Sequence, residues 1–250
     1  MVTLPPPSNR LVGKALHDYR LLADGDRVML AVSGGIDSLV LCHLLTHWRH
    51  KAPIHYDLLA VHLDMGFGSG EADLVAAQLE RTGLPFLVER TTFGREALAA
   101  EDGRSGCYHC ARQRRNRLFA LAKEHGCNKL AFGHHQEDLT ETFFLNLLYA
   151  GNLSTMVPRQ ELFGGNLALI RPLAYLDKAQ VRELGELFGV TPVTNPCPLA
   201  GDSKRETVRR LLASLYAENP RFKANIFAAL GHVRPEYLLR PLNKGDADRA

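Results

Sequence analysis

Three groups of residues in this chain have the types and spacing to do chemistry. The first is Ser33-Gly34-Gly35-Ile36-Asp37-Ser38, set between the apolar run Arg27 to Val32 and the apolar stretch Leu39 to Leu45. A strand that runs into small residues and then into a helix makes a cradle for an anion. The glycines let the backbone come close, and the amides at the positive end of the helix point into the turn. The hydroxyls of Ser33 and Ser38 can donate to phosphate oxygens, whereas Asp37 repels them unless a magnesium ion lies between. This is not the Walker loop, whose Gly-x-x-x-x-Gly-Lys-Ser/Thr spacing is missing. A plain strand, turn and helix with Ser38 as the cap is the simpler alternative.

The second group is Cys107, Cys110 and Cys197. Cys-x-x-Cys at the mouth of a helix turns two sulfurs toward one centre, which suits a zinc half-site, a redox dithiol or part of an iron–sulfur cluster. Cys197 lies between Pro196 and Pro198, two residues of fixed φ that hold its backbone. Three thiols with no evident fourth make an incomplete shell. A structural zinc wants four ligands, and a catalytic centre keeps one position open. Cys42 and Cys127 fall in apolar surroundings and read as core. The third group is Gly133-His134-His135-Gln136-Glu137-Asp138, which ends one strand and opens a helix. Its histidines suit either a capped turn or a metal.

These groups need elements to hold them. The hydrophobic pattern gives a helix from Arg10 to Leu22 after a loose tail, then strands at Arg27 to Val32, Tyr56 to Asp64, Pro85 to Arg90, Lys129 to Phe132 and Leu167 to Arg171. Helices fall between them, including Glu71 to Arg81, Ala111 to Lys123, Leu139 to Tyr149 with Phe143, Phe144, Leu147 and Leu148 inward, and Asp177 to Gly189 capped by Asp177. Near-continuous apolar strands alternating with helices mean an open parallel α/β sheet covered on both faces. Such sheets bind ligands beyond the carboxyl ends of their strands. Helices near Ser203 to Tyr216 and Asn219 to Leu230 form a C-terminal extension, with a charged tail at Asn243 to Ala250. The expected division is a tail and helix at 1–22, the main domain at 23–200 and the extension at 201–250.

The 250 residues, 46% hydrophobic and 23% charged, describe a soluble globular chain. No apolar run approaches a membrane span and the start is no signal peptide, so a cytoplasmic protein is expected. A net charge of +3 is too small to imply nucleic acid. Position says more: Arg112, Arg114, Arg115 and Arg117 crowd the helix that follows Cys110, where a bound phosphate backbone would bring a nucleotide to the thiols. Lys204, Arg205, Arg209 and Arg210 crowd another helix.

The Ser-Gly-Gly-x-Asp-Ser loop after a hydrophobic strand resembles the PP-loop of the N-type ATP pyrophosphatases, which split ATP between its α- and β-phosphates and leave AMP on the substrate. With Cys-x-x-Cys before an Arg-rich helix, Gly-His-His-x-x-Asp, Ile-Arg-Pro-Leu-Ala-Tyr at Ile170 to Tyr175 and a late Pro-Cys, the chain from about Arg10 to Leu239 resembles the tRNA 2-thiocytidine synthetase family. That resemblance implies a HUP-like PP-loop fold and an enzyme that adenylates O2 of a cytidine in the tRNA anticodon loop, after which sulfide delivered on a 4Fe–4S cluster expels AMP. It implies the cluster on Cys107, Cys110 and Cys197, and ATP with magnesium on Ser33, Gly34, Gly35, Asp37, Ser38, His62, Leu63, Gly133 and His134. Asp37, Lys129 and Asp138 are implied as catalytic. Partners implied are tRNA, a sulfur donor such as a cysteine desulfurase system, and a second copy of the chain. Two departures stand out: Ala200 replaces a frequent second late cysteine, and Ile36 replaces a usual lysine. Lysidine synthesis and a zinc-stabilised nucleotide-binding module are the rival readings.

Overall fold

The computed structural model describes residues 2–68, 70–99, 106–198 and 204–239. Ala200 and the tail at 243–250 lie outside them. Two compact units are present, Met1–Val208 and Arg209–Ala250.

In the first unit, helix α1 (Pro6–Asp18) leads into strand β1 (Asp26–Val32), helix α2 (Ile36–Arg49), strand β2 (Tyr56–Asp64), helix α3 (Glu71–Glu80) and strand β3 (Phe86–Arg90). Then come α4 (Phe93–Ala99), α5 (Gly106–Glu124), β4 (Lys129–Ala131), α6 (Gln136–Leu145), β5 (Arg159–Leu162), β6 (Leu167–Ile170) and α7 (Lys178–Leu187). Helix α8 (Lys204–Glu218) begins in this unit, and α9 (Arg221–Ala229) lies in the second. The sheet order is β3-β2-β1-β4-β6-β5, parallel except for β5, which runs antiparallel to β6.

Successive β1 residues serve opposite faces of the sheet. Val28, Leu30 and Val32 pack with Leu39, Leu41 and Leu45 of α2 and Val181 and Leu184 of α7. Met29 packs on the other face with Val61 and Leu63 of β2 and Leu118 and Leu121 of α5. Burial on both faces is why the strands read as continuous apolar runs. Cys42 and Cys127 are core residues, as expected. The chain leaves β1 for β2 on one side and returns to β4 on the other, so the switch in strand order lies between β1 and β4. Ser33 and Gly133 follow those two strands.

Four expectations change. The first helix begins at Pro6, not Arg10, with Leu4 buried ahead of it; a proline in the first turn has no amide hydrogen that the helix would need. Helix α5 begins at Gly106, so both cysteines lie inside its opening turns. The helix after Gly133 becomes a π-helix over Asn146–Ala150, which rotates Leu147 and Leu148 into solvent instead of the core. Strand β5 was not expected, because Arg-Gln-Glu-Leu has neither an apolar run nor β-branched residues.

Lys129 corrects a site expectation. It opens β4, paired with Val28, at the end of the sheet opposite Gly133. It is 7% exposed, with Nζ 3.9 Å from Asp26 Oδ1, and Asp26 also accepts from Asn128 Nδ2 at 2.8 Å and from the Ala23 amide at 2.7 Å. It is a structural cation and takes no part in a site at the strand ends. Lys129→Met should cost about 1–3 kcal/mol in urea unfolding, because it strips a buried carboxylate of its counter-charge, and leave nucleotide affinity unchanged.

Candidate active site

The phosphate loop is built before any ligand arrives. Ser38 Oγ donates to the Gly35 carbonyl at 2.9 Å and accepts from the Ser33 amide at 3.1 Å, and the two serine hydroxyls are 3.3 Å apart. Gly35 is the N-cap of α2 and gives it no side-chain hydrogen bond, so Ser38 closes the loop and is not the cap. Gly34 has φ +86°, and a Cβ there would lie 2.8 Å from Val75 Cγ2. Gly133 is tighter still: a Cβ would meet the Asp37 carbonyl carbon and oxygen at 2.8 Å and the Ser38 amide at 2.9 Å. Both positions therefore require glycine.

A cavity of about 360 Å³ opens over the switch point. Ser33, Gly35, Asp37 and Ser38 line one side; His62, Leu63 and Asp64 another; Gly133, His134 and Asp138 a third. Arg114 of α5 reaches it, and Thr194, Asn195 and Pro196 close the rim. The Val193 amide donates to the Gly34 carbonyl at 2.9 Å, which ties this rim to the loop.

Two histidines face the cavity in opposite tautomers. His62 Nδ1 lies 2.9 Å from the Val32 carbonyl, which can only accept, so Nδ1 carries the proton. Burial pushes its pKa down, and the hydrogen bond to Val32 opposes this. Its Nε2 is then a bare acceptor, buried without a partner. His134 is the reverse. Arg171 Nε donates to its Nδ1 at 3.2 Å, so the neutral ring keeps its proton on Nε2. Burial first, with Arg171, Arg205 and Arg114 adding, holds His134 at about 4 against the pull of Asp138. Arg171 also donates to the Val157 carbonyl.

His135 behaves oppositely. Burial works against its charge, but the hydrogen bond to Glu137 and the charges of Asp138, Asp37 and Glu137 raise its pKa. Its Nδ1 lies 3.0 Å from Glu137 Oε2. Asp138 accepts from the His135 amide at 3.0 Å and from Arg205 Nη1 at 3.3 Å, and Arg205 Nη1 also reaches Glu141 at 3.2 Å. Asp37 holds Lys178 Nζ at 2.6 and 2.8 Å. The spacing of residues signals neither Lys178 nor Arg205 at the site. Arg171 carries one hint, a charge closing an apolar strand.

Cys107 and Cys110 stand one turn apart on α5, the first exposed and the second half-buried. Cys197 follows the cavity-lining Pro196, and its amide donates to Asn195 Oδ1 at 3.1 Å. Burial pushes the Cys110 thiol up, Arg114 opposes it, and the charges of Cys197 and Cys107 push it further. None of the three lines the cavity itself; Arg114, one turn after Cys110 on α5, and Pro196, before Cys197, do. Among the described residues no three Cys, His, Asp or Glu side chains are gathered tightly enough for a single metal ion. Three thiols are the donor type that an iron–sulfur cluster takes, and one short of the four of a structural zinc.

The arginine helix is less uniform than its sequence. Arg112, Arg114 and Arg115 are exposed. Arg117 is bound by Glu89 through Nε and Nη2 at 2.6 and 2.7 Å and by Glu124 at 2.7 Å, which raises its pKa and commits its charge to two carboxylates.

A model of the PP-loop domain matches residues 7–215. The tRNA-cytidine(32) 2-sulfurtransferase of Anaeromyxobacter dehalogenans (strain 2CP-C) is 41% identical over 244 residues, 96% of this chain and 83% of that one. The chain belongs to the tRNA-cytidine(32) 2-sulfurtransferase family of PP-loop proteins. The relative of that name from Syntrophotalea carbinolica is 40% identical over 235 residues, covering 92% and 90% of the two chains. The PP-loop fold is shared with the U34-tRNA thiolase NcsA from Methanococcus maripaludis, solved with its 4Fe–4S cluster, at a TM-score of 0.73 and 23% identity over 91% of this chain and 79% of that one.

Imidazole titration by NMR should separate the two adjacent histidines. His134 should stay neutral, protonated on Nε2, until about pH 4, while His135 titrates above the 6.5 of a free imidazole. The linkage has opposite signs. The stability tied to His134 is whole above pH 6.5 and lost toward pH 4, whereas that tied to His135 is whole below 6.5 and lost as pH rises through its folded pKa.

Proposed function

We propose that this protein is an ATP-dependent tRNA sulfurtransferase that replaces the 2-oxygen of a cytidine in the tRNA anticodon loop with sulfur. The observation that carries this reading is the join at residues 193–197. The Val193 amide is bonded to the phosphate loop, Asn195 and Pro196 line the cavity, and the next residue is Cys197. Arg114, one turn on from Cys110, lines the same cavity, so both thiol-bearing segments adjoin it, which supports sulfur chemistry beside nucleotide chemistry. The family names support cytidine 32 as the target.

An amide-like oxygen leaves poorly and AMP leaves well, so activation comes first. The cytidine O2 attacks the α-phosphorus of ATP, and the bond to pyrophosphate breaks. Sulfide then adds at C2, and the C2–O2 bond breaks to release AMP. Ser33, Ser38 and the first amides of α2 hold the phosphates, and His134 presents its Nε2 proton toward them. His62 offers a lone pair to a donor on the nucleotide, and the Leu63 strand end borders the base. Asp37 and Asp138 are the carboxylates that would hold magnesium. Cys107, Cys110 and Cys197 would hold a 4Fe–4S cluster, which when bound supplies an open coordination position for sulfur. Arg112, Arg114 and Arg115 receive the tRNA backbone. No helix among the described residues is long and apolar enough to cross a membrane, in keeping with a cytoplasmic substrate. Lysidine synthesis would leave the three thiols without a task.

Protein purified without oxygen should contain iron and acid-labile sulfide in equal amounts with a broad visible band, and Cys197→Ser should lose most of both. tRNA from cells lacking the gene should lack 2-thiocytidine. Zinc without iron, or unchanged thiocytidine, overturns the reading.

The arginines should divide in binding assays. Arg112→Ala and Arg115→Ala should each weaken tRNA several-fold and lower the slope of log affinity against log salt by roughly one. Arg117→Ala should leave that slope alone and lower the unfolding midpoint, since its charge is spent on Glu89 and Glu124.

A further inference from the structure

We infer that the groove between α4 and α5 is a second nucleotide site, which takes from the bound tRNA one unpaired base that carries an amino group. This rests on the reading of the protein as a tRNA-modifying enzyme. A cavity of about 360 Å³ lies in the groove and shares no described residue with the one over the switch point. Its described walls are Glu96 and Ala97 of α4 and His109, Arg112, Gln113 and Asn116 of α5. Ala97 is the one apolar residue among them. Walls of this kind suit a flat polar ligand and not a lipid or an apolar side chain.

The hydrogen-bonding groups of the groove are fixed, and one of them is unused. Gln113 Nε2 donates to Glu96 Oε2 at 2.9 Å, and since a carboxylate only accepts, this contact settles which way the amide faces. Gln113 Oε1 is left buried without a partner. Thr92 Oγ1 donates to the other oxygen of Glu96. The hydrogen bonds from Thr92 and then Gln113 hold the Glu96 pKa down, so the carboxylate stays ionised. The groove therefore offers acceptors side by side, Gln113 Oε1 and the remaining lone pairs of Glu96. An orphaned acceptor in a pocket wall is costly until a donor reaches it. The amino groups of cytosine, adenine and guanine supply that donor. Uracil, with one N–H between two carbonyls, sets oxygen against oxygen.

The place of the groove on α5 ties it to the RNA. At about 100° per residue, side chains run round this helix from Arg114 on the cavity side, through Arg115 to Arg112, and then to Asn116, His109 and Gln113. Arg112 is exposed and also lines the groove, so its guanidinium can take the phosphate of the nucleotide whose base enters. A helix with its side chains is only about 10–12 Å across. A strand crossing the outer arginines therefore holds the target cytidine at the switch-point cavity and a near neighbour at the groove. Unpaired loop bases can be splayed out and read along their edges, so the groove reads sequence where the arginines only position the backbone.

Binding of RNA hairpins to the full-length protein, purified without oxygen, tests this. The hairpins keep the target cytidine, and each other loop nucleotide that bears an amino group is replaced in turn by uridine. At one position the replacement should weaken binding to the unaltered protein about tenfold, as expected for loss of a base-edge contact. Gln113→Met keeps the length of the side chain and removes the acceptor. It should bind the original hairpin about tenfold more weakly, no longer distinguish the replacement, and keep the salt slope of the unaltered protein, since no phosphate contact is lost. Thermal unfolding checks that the variant is folded. Binding of every hairpin by Gln113→Met as tightly as by the unaltered protein would leave the groove a water site only, and a uniform loss with discrimination intact would reduce Gln113 to a support for α4. Either result, or the lack of any uridine-sensitive position, overturns the inference. Failure of the unaltered protein to bind the original hairpin would overturn the tRNA reading itself.

Discussion

The site depends on a backbone contact with no side chain in it. Gly133, after β4, lies so close to the first turn of α2 that a single methyl would strike the Asp37 carbonyl and the Ser38 amide. Two strand ends diverge at the switch in a parallel sheet, and here they are drawn together until the loop from one rests on the other. Histidine, carboxylate and hydroxyl side chains can then converge on one cavity from separate segments. A side chain at 133 would push the α2 amides away from the place where phosphate must sit.

On this frame the polar groups are arranged in fixed pairs. Asp37 is held by Lys178, Asp138 by Arg205, and His134 by Arg171. Each partner comes from later in the chain than the group it holds, so the C-terminal third of the first unit sets the electrostatics of loops built before it. The two cavity histidines show how little is needed to give one residue type two tasks. A carbonyl against Nδ1 makes His62 an acceptor, and a guanidinium against Nδ1 makes His134 a donor.

Local signals in the chain were sufficient for much of this. Apolar runs located the strands of the parallel sheet, the glycine pair located the phosphate loop, and Asp177 with Gln180 marked the start of α7. Failures came where meaning lies in partners distant along the chain. Lys129 has the right residue type on the right strand, yet the strand's direction puts it at the wrong end, beside Asp26. Arg117 looks like its neighbours until Glu89 and Glu124 are placed around it. Lys178 reads as an ordinary first-turn residue because nothing in the spacing brings it to Asp37. Leu147 and Leu148 keep helical periodicity, but the wider π turn shifts their phase.

The bond from the Val193 amide to the Gly34 carbonyl is made by atoms that every non-proline residue possesses. Exchange of the side chain at 193 therefore leaves it intact, and the segment between α7 and Cys197 can drift in composition without releasing the loop. Its length has no such freedom. One residue inserted or removed between Gly189 and Cys197 would shift the thiol along the rim or unhook the rim from the loop, so the tolerated changes in this stretch are replacements rather than insertions or deletions.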